Sequence, residues 1–312
     1  MHALITGAGQ IGTQLAGDLT ADGHQVTVLR RSAGSMPGTG ARVIRGDAGD
    51  RDAIRSAAEG AAVVFHCIHA AYSAPVWRRE LPRRELAVMD VAAELGIPVI
   101  FPESVYAFGR GAVDLGETSP IAPASPLGEV RAELLSARSA HPARTASLVA
   151  SDLVGPTAHA KSSVILGTVL APAAAGRRAW VLGDPDAPHA LTYLPDLSRA
   201  MIAAASLART GGTVLNAPTG PPLSQRRMAE DAARAVGRKP AGASRIPSAA
   251  LGACAPFSPA FREIFRQRYL WDSPSALQPG RLTTEFGLDP TPWSEVLREW
   301  AGSLTPAPPR PH

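Results

Sequence analysis

Three glycines near the start of the chain, Gly7, Gly9 and Gly12, stand in the spacing G-x-G-x-x-G, with Gln10 and Ile11 before the last of them. That spacing suits a turn built to hold a pyrophosphate. The first glycine lets the chain leave a strand sharply, and the second brings bare backbone up to the phosphates. The third lets a helix pack close to the strand. The N–H groups at the start of that helix then face the anion. Farther on stand Arg30 and Arg31. At the tip of a second strand, an acidic side chain would accept from the ribose 2′-hydroxyl of NAD, whereas arginine pairs with the 2′-phosphate of NADP. No acid stands at this tip, so the pattern favours NADP(H) over NAD(H).

These residues need a strand before the glycines, a helix after them and a second strand ahead of the arginines. Residues 2–6 supply the first strand. A helical run with Ile11, Leu15 and Leu19 on one face follows, and residues 25–29 form the second strand. Further strands are predicted at 41–45, 62–65, 99–101 and 145–150. Helices are predicted at 51–59, at 82–95 (opened by Pro82 and closed by Gly96) and at 126–140. Strand and helix in turn imply an α/β fold, a doubly wound parallel Rossmann sheet. From Val154 the rhythm changes, with helices expected at 163–171, 195–208, 224–236, 258–270 and 292–301 and strands at 179–182 and 213–216. The expected organisation is a dinucleotide-binding domain over 1–155 with returning segments near 190–217. A smaller α/β substrate-binding part takes 156–189 and 218–302, and a Pro-rich disordered tail takes 303–312.

The chain has 312 residues, 45% apolar and 19% charged, enough to bury a sizeable core. The net charge is +4 and the arginines are scattered, which argues against a nucleic-acid partner. The longest apolar stretch, 162–176, is short for a bilayer and broken by Pro172, so no membrane partner is expected. Cys67 and Cys254 form neither a metal spacing nor a disulfide framework, which fits a reducing cytoplasm. The chain opens directly on a strand rather than on a secretion signal. His189 follows Asp184 and Asp186 with no second histidine nearby, so no metal site is expected.

With these elements in place, the chain resembles the extended branch of the short-chain dehydrogenase/reductase superfamily, the NAD(P)-dependent epimerases and dehydratases. The matching pieces are Thr6 to Gly12, Gly46-Asp47, Val64-Phe65-His66 and Ser104 to Gly109. Ser151-Asp152 with Gly155-Pro156, Gly183-Asp184, Thr192-Tyr193 and Pro195-Asp196-Leu197 complete them. They cover most of the chain, although the glycine motif is one residue tighter than in typical extended members. The resemblance implies that Asp47 accepts from the adenine amino group and that Ala48 and Ile68 line the cofactor. It also implies a small carbonyl or hydroxyl substrate and a homodimer through the helices at 82–95 and 126–140.

Enzymes of this branch carry a serine or threonine at the end of the fifth strand and a Tyr-x-x-x-Lys on the next helix. The tyrosine is the general acid/base; the lysine lowers its pKa and holds the nicotinamide ribose. Ser104 takes the serine position, four residues before Phe108-Gly109, where the family has Tyr-Gly. Ser125 to Arg131 aligns with Ser-Pro-Tyr-Gly-x-x-Lys, so Leu127 stands for the tyrosine and Arg131 for the lysine. Leucine carries no proton, and arginine stays charged. Another residue then supplies the proton, or the reaction needs no strong protein acid, or the chain binds the dinucleotide without redox turnover. For the first case Tyr106 lies two residues after Ser104, on the same face if the strand continues. Tyr72, Trp77 and His69 are alternatives. The reading carried forward is an NADP(H)-dependent oxidoreductase or epimerase with Ser104, Tyr106 and Arg131 as an atypical catalytic set. Its competitors are a non-catalytic NADP-binding sensor or scaffold and a redox-neutral cyclase or isomerase. His159, Lys161 and Ser162 sit where the family's substrate loop lies, and the Arg262, Arg266, Arg268 cluster faces either solvent or a diphosphate.

Overall fold

The computed structural model describes all residues except 33, 37, 161, 255–257 and 305–312, and only the backbone of 251, 253 and 254. The first half runs β1 (His2–Thr6), α1 (Gln10–Ala21), β2 (Gln25–Arg30), β3 (Arg42–Arg45), α2 (Arg51–Ala57) and β4 (Val63–His66). It continues through α3 (Ala74–Leu95), β5 (Val99–Ser104), α4 (Pro126–Ala140) and β6 (Thr145–Ala150). The second half runs β7 (Asp152–Val154), α5 (Ala171–Ala174), β8 (Ala179–Val181), β9 (Pro188–His189), β10 (Leu191–Tyr193), α6 (Leu194–Ala204) and β11 (Thr213–Asn216). Then come β12 (Leu223–Ser224), α7 (Gln225–Ala235), β13 (Ala243–Arg245), α8 (Ser248–Cys254), α9 (Pro259–Gln267), α10 (Arg281–Thr284) and α11 (Trp293–Ser303).

Seven strands form one sheet in the order β11-β6-β5-β4-β1-β2-β3, every pairing parallel. All four residues of β4 and all six of β6 are buried, as befits strands covered on both faces. On one face, α1 and α6 pack Leu15, Leu19, Leu197 and Met201 against the strands. On the other, α2 and α3 supply Ile54, Val88, Met89 and Val91 around Phe101. A third cluster builds the second half of the chain on Val169, Leu170, Trp271 and Trp300. The strand order reverses between β1 and β4, so the crevice at the carboxyl ends of these strands is where such a sheet takes a ligand. No helix among the described residues is long and apolar enough to cross a membrane.

The doubly wound parallel sheet expected from the sequence is thus observed, with three local corrections. Helix α3 starts at Ala74, not at Pro82, with Pro75 in its first turn. Pro82 lies inside it, on a side where Arg78 and Pro82 are both exposed, so the carbonyl that the proline leaves without a donor can bond water. Strand β5 reaches Ser104 but stops there; Val105–Val113 is a 3-10 segment, which removes the alternation that would have put Ser104 and Tyr106 on one face. The helix expected at 163–171 contains a π segment, Leu166–Leu170, that runs into α5. Residues 305–312 of the expected tail, and Lys161, lie outside the described residues.

Candidate active site

The glycine turn connects β1 to α1. Gly7 adopts φ +95°, and a Cβ there would stand 2.9 Å from the Cys67 carbonyl oxygen. A Cβ on Gly12 would come within 2.1 Å of the Gly7 carbonyl oxygen, so any side chain at 12 breaks the turn. At Gly9 a Cβ would meet nothing within 4 Å. The turn is therefore closed against protein at its two ends and open at its middle, the shape a pyrophosphate needs. Gly9 is the N-cap of α1, no side chain caps it, and no acidic residue sits in the first turn. The helix thus presents its N–H groups and positive dipole end to the open side. Gln10 is tied to the loop after β7: its carbonyl accepts from Thr157 Oγ1 at 2.9 Å, and its side chain from the His159 amide at 3.3 Å. Ile11 and Ile68 are half-buried beside the turn, and Ala48 is buried.

At the tip of β2 the two arginines separate. Arg30 donates to the carbonyls of Gly34 and Ser35 at 3.0 and 3.2 Å, fastening its own loop. Arg31 is exposed. Asp47 caps its turn, with Oδ1 accepting from the Gly49 amide at 2.8 Å; Oδ2 stands 3.9 Å from Arg83.

A second cluster, an aromatic wall one residue beyond the Ile68 that stands against Gly7, is organised by Trp77, which is buried with Leu81, Leu127, Val130 and Leu134 between α3 and α4. The Tyr106 ring stacks on it at 6.4 Å between centroids and 12°. His69 and Tyr72 meet it edge-on at 4.9 and 5.8 Å. The Arg131 guanidinium lies over the ring at 4.7 Å. The Tyr72 and Tyr106 hydroxyls are 3.1 Å apart. Ser104 ends β5, and its Oγ is buried with no hydrogen-bond partner. Burial, helped by the Asp152 charge, pushes the Tyr106 phenol up to about 12, and burial together with Tyr106 pushes Tyr72 well above the usual tyrosine range. His69 is exposed at its outer edge, but packing of its ring against Trp77 and then the Arg131 charge lower its pKa toward the neutral imidazole. At neutral pH the wall therefore holds two protonated phenols, a neutral imidazole and one fixed positive charge.

Residues 3–217 match the NAD dependent epimerase/dehydratase family. The chain belongs to this family. Its cofactor class is accordingly a nicotinamide dinucleotide, and the open glycine cradle fits one. Solved structures share the fold over nearly the whole chain. MoeE5 in complex with UDP-glucose and NAD is 21% identical, with 97% of this chain and 98% of that one covered at a TM-score of 0.74. The UDP-glucose 4-epimerase of Thermotoga maritima is 18% identical, with 97% and 98% covered and a TM-score of 0.74. DesIV, the dTDP-glucose 4,6-dehydratase of Streptomyces venezuelae, solved with NAD bound, is 17% identical, with 97% and 96% covered and a TM-score of 0.77. At these identities the likeness is one of fold. Comparison with curated proteins gives no match.

In this epimerase/dehydratase-family chain, the fold brings Tyr106 and Arg131 together on Trp77 and joins Ser104 to Arg131 through Glu103. The position aligned with the family tyrosine, Leu127, is 0% exposed and packs as core. Glu103 escaped sequence reading. A carboxylate inside the apolar run of β5 was the available signal, but its charged partners, Arg131 and Arg138, both lie on α4. The Asp152–His189 pair was also missed: His189 Nε2 stands 3.1 Å from Asp152 Oδ2, and its ring stacks on Trp271 at 4.1 Å. Among the described residues no three metal-ligating side chains assemble. His66 is a core residue, 2.8 Å from Thr6 Oγ1. His159 and Ser162 are exposed, as are Arg262, Arg266 and Arg268. Of the last three, Arg266 pairs with Glu263 and Arg268 lies over Phe265.

Proposed function

We propose that the chain is an NADP(H)-dependent oxidoreductase or epimerase acting on a small carbonyl or hydroxyl substrate, working in the cytoplasm as a homodimer through α3 and α4. The observation that carries this reading is the protonated Tyr106 phenol on the same aromatic wall as Arg131, in a fold that also builds an open glycine cradle. The nicotinamide, when bound, supplies or accepts the hydride. Arg131, whose guanidinium donates no hydrogen bond to any described residue, holds the nicotinamide ribose. Asp47 takes the adenine amino group through its uncapped oxygen. Ser104 polarises the substrate carbonyl, and Tyr106 delivers the proton, with the Tyr72 hydroxyl replacing it from behind. The structural neighbours named above were solved with nucleotide sugars or NAD, so sugar nucleotides are the first substrates to try.

Exposed Arg31, with Arg30 beside it and no acid at the β2 tip, supports the preference for NADP. Changing both to alanine should weaken NADPH binding about tenfold or more, since charged hydrogen bonds are worth roughly 1.5–3 kcal/mol each, while NADH binding barely moves. Fluorescence titration reads both constants, and equal weakening would sink the NADP preference. Tyr106→Phe should lower turnover by about a hundredfold or more with NADPH affinity unchanged; unimpaired turnover removes Tyr106 as the donor. A second reading, dinucleotide binding without turnover, is favoured by the buried Leu127 and the covered Ser104 Oγ. It expects tight NADPH but no hydride transfer to any sugar nucleotide or simple carbonyl. A redox-neutral cyclase or isomerase expects product with no net change in NADPH absorbance.

A further inference from the structure

We propose that Glu103 is a positioning residue of this site, fixing the Arg131 guanidinium and the Ser104 backbone with one carboxylate. The proposal rests on the reading of Arg131 as the holder of the nicotinamide ribose. The Glu103 side chain is fully buried at the end of β5. Its Oε1 accepts from the Ser104 amide at 2.8 Å and stands 3.5 Å from Arg131 Nε. Its Oε2 accepts from Arg138 Nη1 at 2.8 Å.

The two arginines depend on it unequally. Arg138 also grips Glu85 through Nε and Nη2, at 2.7 and 2.6 Å, and reaches Ser147 Oγ at 3.0 Å. It stays paired without Glu103. Arg131 does not: among the described residues Glu103 is its only ion-pair partner. Trp77 supports the guanidinium from its face and Glu103 from its Nε edge, so the two together set where its remaining N–H groups stand. A buried ion pair adds little stability over apolar side chains of equal size, so a fixed charge here serves geometry better than folding.

A double-mutant cycle read by NADPH fluorescence titration tests this. Glu103→Gln should weaken NADPH about five- to tenfold in the wild-type background and add nothing in Arg131→Met. Glu85→Gln, which removes the other partner of Arg138, should lower the melting temperature as Glu103→Gln does yet leave the NADPH constant unchanged. Wild-type affinity in Glu103→Gln overturns the proposal. So does the same weakening with and without Arg131, or an equal loss in Glu85→Gln, because each means that the network acts only on folding. Wild-type affinity in Arg131→Met is a distinct result: it overturns the ribose reading and the proposal with it. If Glu103→Gln does not fold, the cycle is run with Glu103→Asp, where coupling to Arg131 supports the proposal and additivity overturns it.

Discussion

Arg138→Met should cost the protein about 3–5 kcal/mol of stability, the range for removing one partner from a buried ion pair. Arg138 is 2% exposed, lies over the Phe101 ring at 4.1 Å and is hydrogen-bonded to both Glu85 and Glu103. Burial pulls its pKa down, but the two carboxylates outweigh burial and hold it above the usual arginine range. Methionine fills much of the same volume, so little of the loss comes from a cavity. What remains is two carboxylates facing each other inside the protein, and one must take up a proton or drag in water. Urea denaturation of the single variant and of Glu85→Gln/Arg138→Met separates these effects. The double variant should recover a substantial part of the loss, because it removes one of the stranded charges. A loss below about 1 kcal/mol in Arg138→Met would show that the network contributes nothing through charge.

Stability should also fall steeply as the pH drops from 6.5, by an amount on the order of 3–5 kcal/mol from His66 alone at the acid extreme. Burial, then the charges of Arg138 and Arg84, pushes the folded-state pKa of His66 down to about 3. An unfolded histidine titrates near 6.5. Between those values the unfolded chain binds a proton that the folded chain refuses. The contribution is therefore whole above pH 6.5 and is lost as the pH falls toward 3. Carboxylates join in below about pH 4.5, so the diagnostic window is roughly 4.5 to 6.5. In that window thermal melts of His66→Asn should show a flatter pH dependence than the parent chain; identical slopes would remove His66 as the cause. Asparagine keeps a polar atom near Thr6 Oγ1, now 2.8 Å from Nδ1, which limits the cost of the substitution itself.

The parts of this molecule that were legible in the sequence are those whose cause is local. Gly7, Gly9 and Gly12 announce a turn because each meets a steric demand within a few residues of itself. Ser224 and Gly237 bracket α7 for the same reason, with Ser224 Oγ accepting from the Arg227 amide. Pro82 misled because proline is equally at home in a first turn and on the wet side of a long helix, and only the packing of Trp77 and Leu81 decides between them. The route to Tyr106 also differed from the count. The strand ends and a 3-10 segment begins, yet the ring still reaches Trp77, because contact depends on the path of the backbone and not on parity alone. Glu103, Arg138 and Glu85 belong to two helices and a strand far apart in the chain, and no local pattern marks their meeting. Leu127 could be recognised as a departure from the family motif, and Tyr72, Trp77, His69 and Tyr106 could be named as candidates near it, but not their stacking around one ring or the place of Arg131 over it.

The placement of β11 has a consequence for the order in which the protein is made. Strand β6 offers its outer edge to β11 alone, and all six of its residues are buried in the finished sheet. During synthesis, residues 145–150 leave the ribosome well before 213–216. Until the later segment arrives, the nascent chain displays an apolar strand with an open hydrogen-bonding edge, and α6 is not yet present to cover one face of the sheet. The interval between those two segments is thus a stretch of translation in which this chain is open to mispairing.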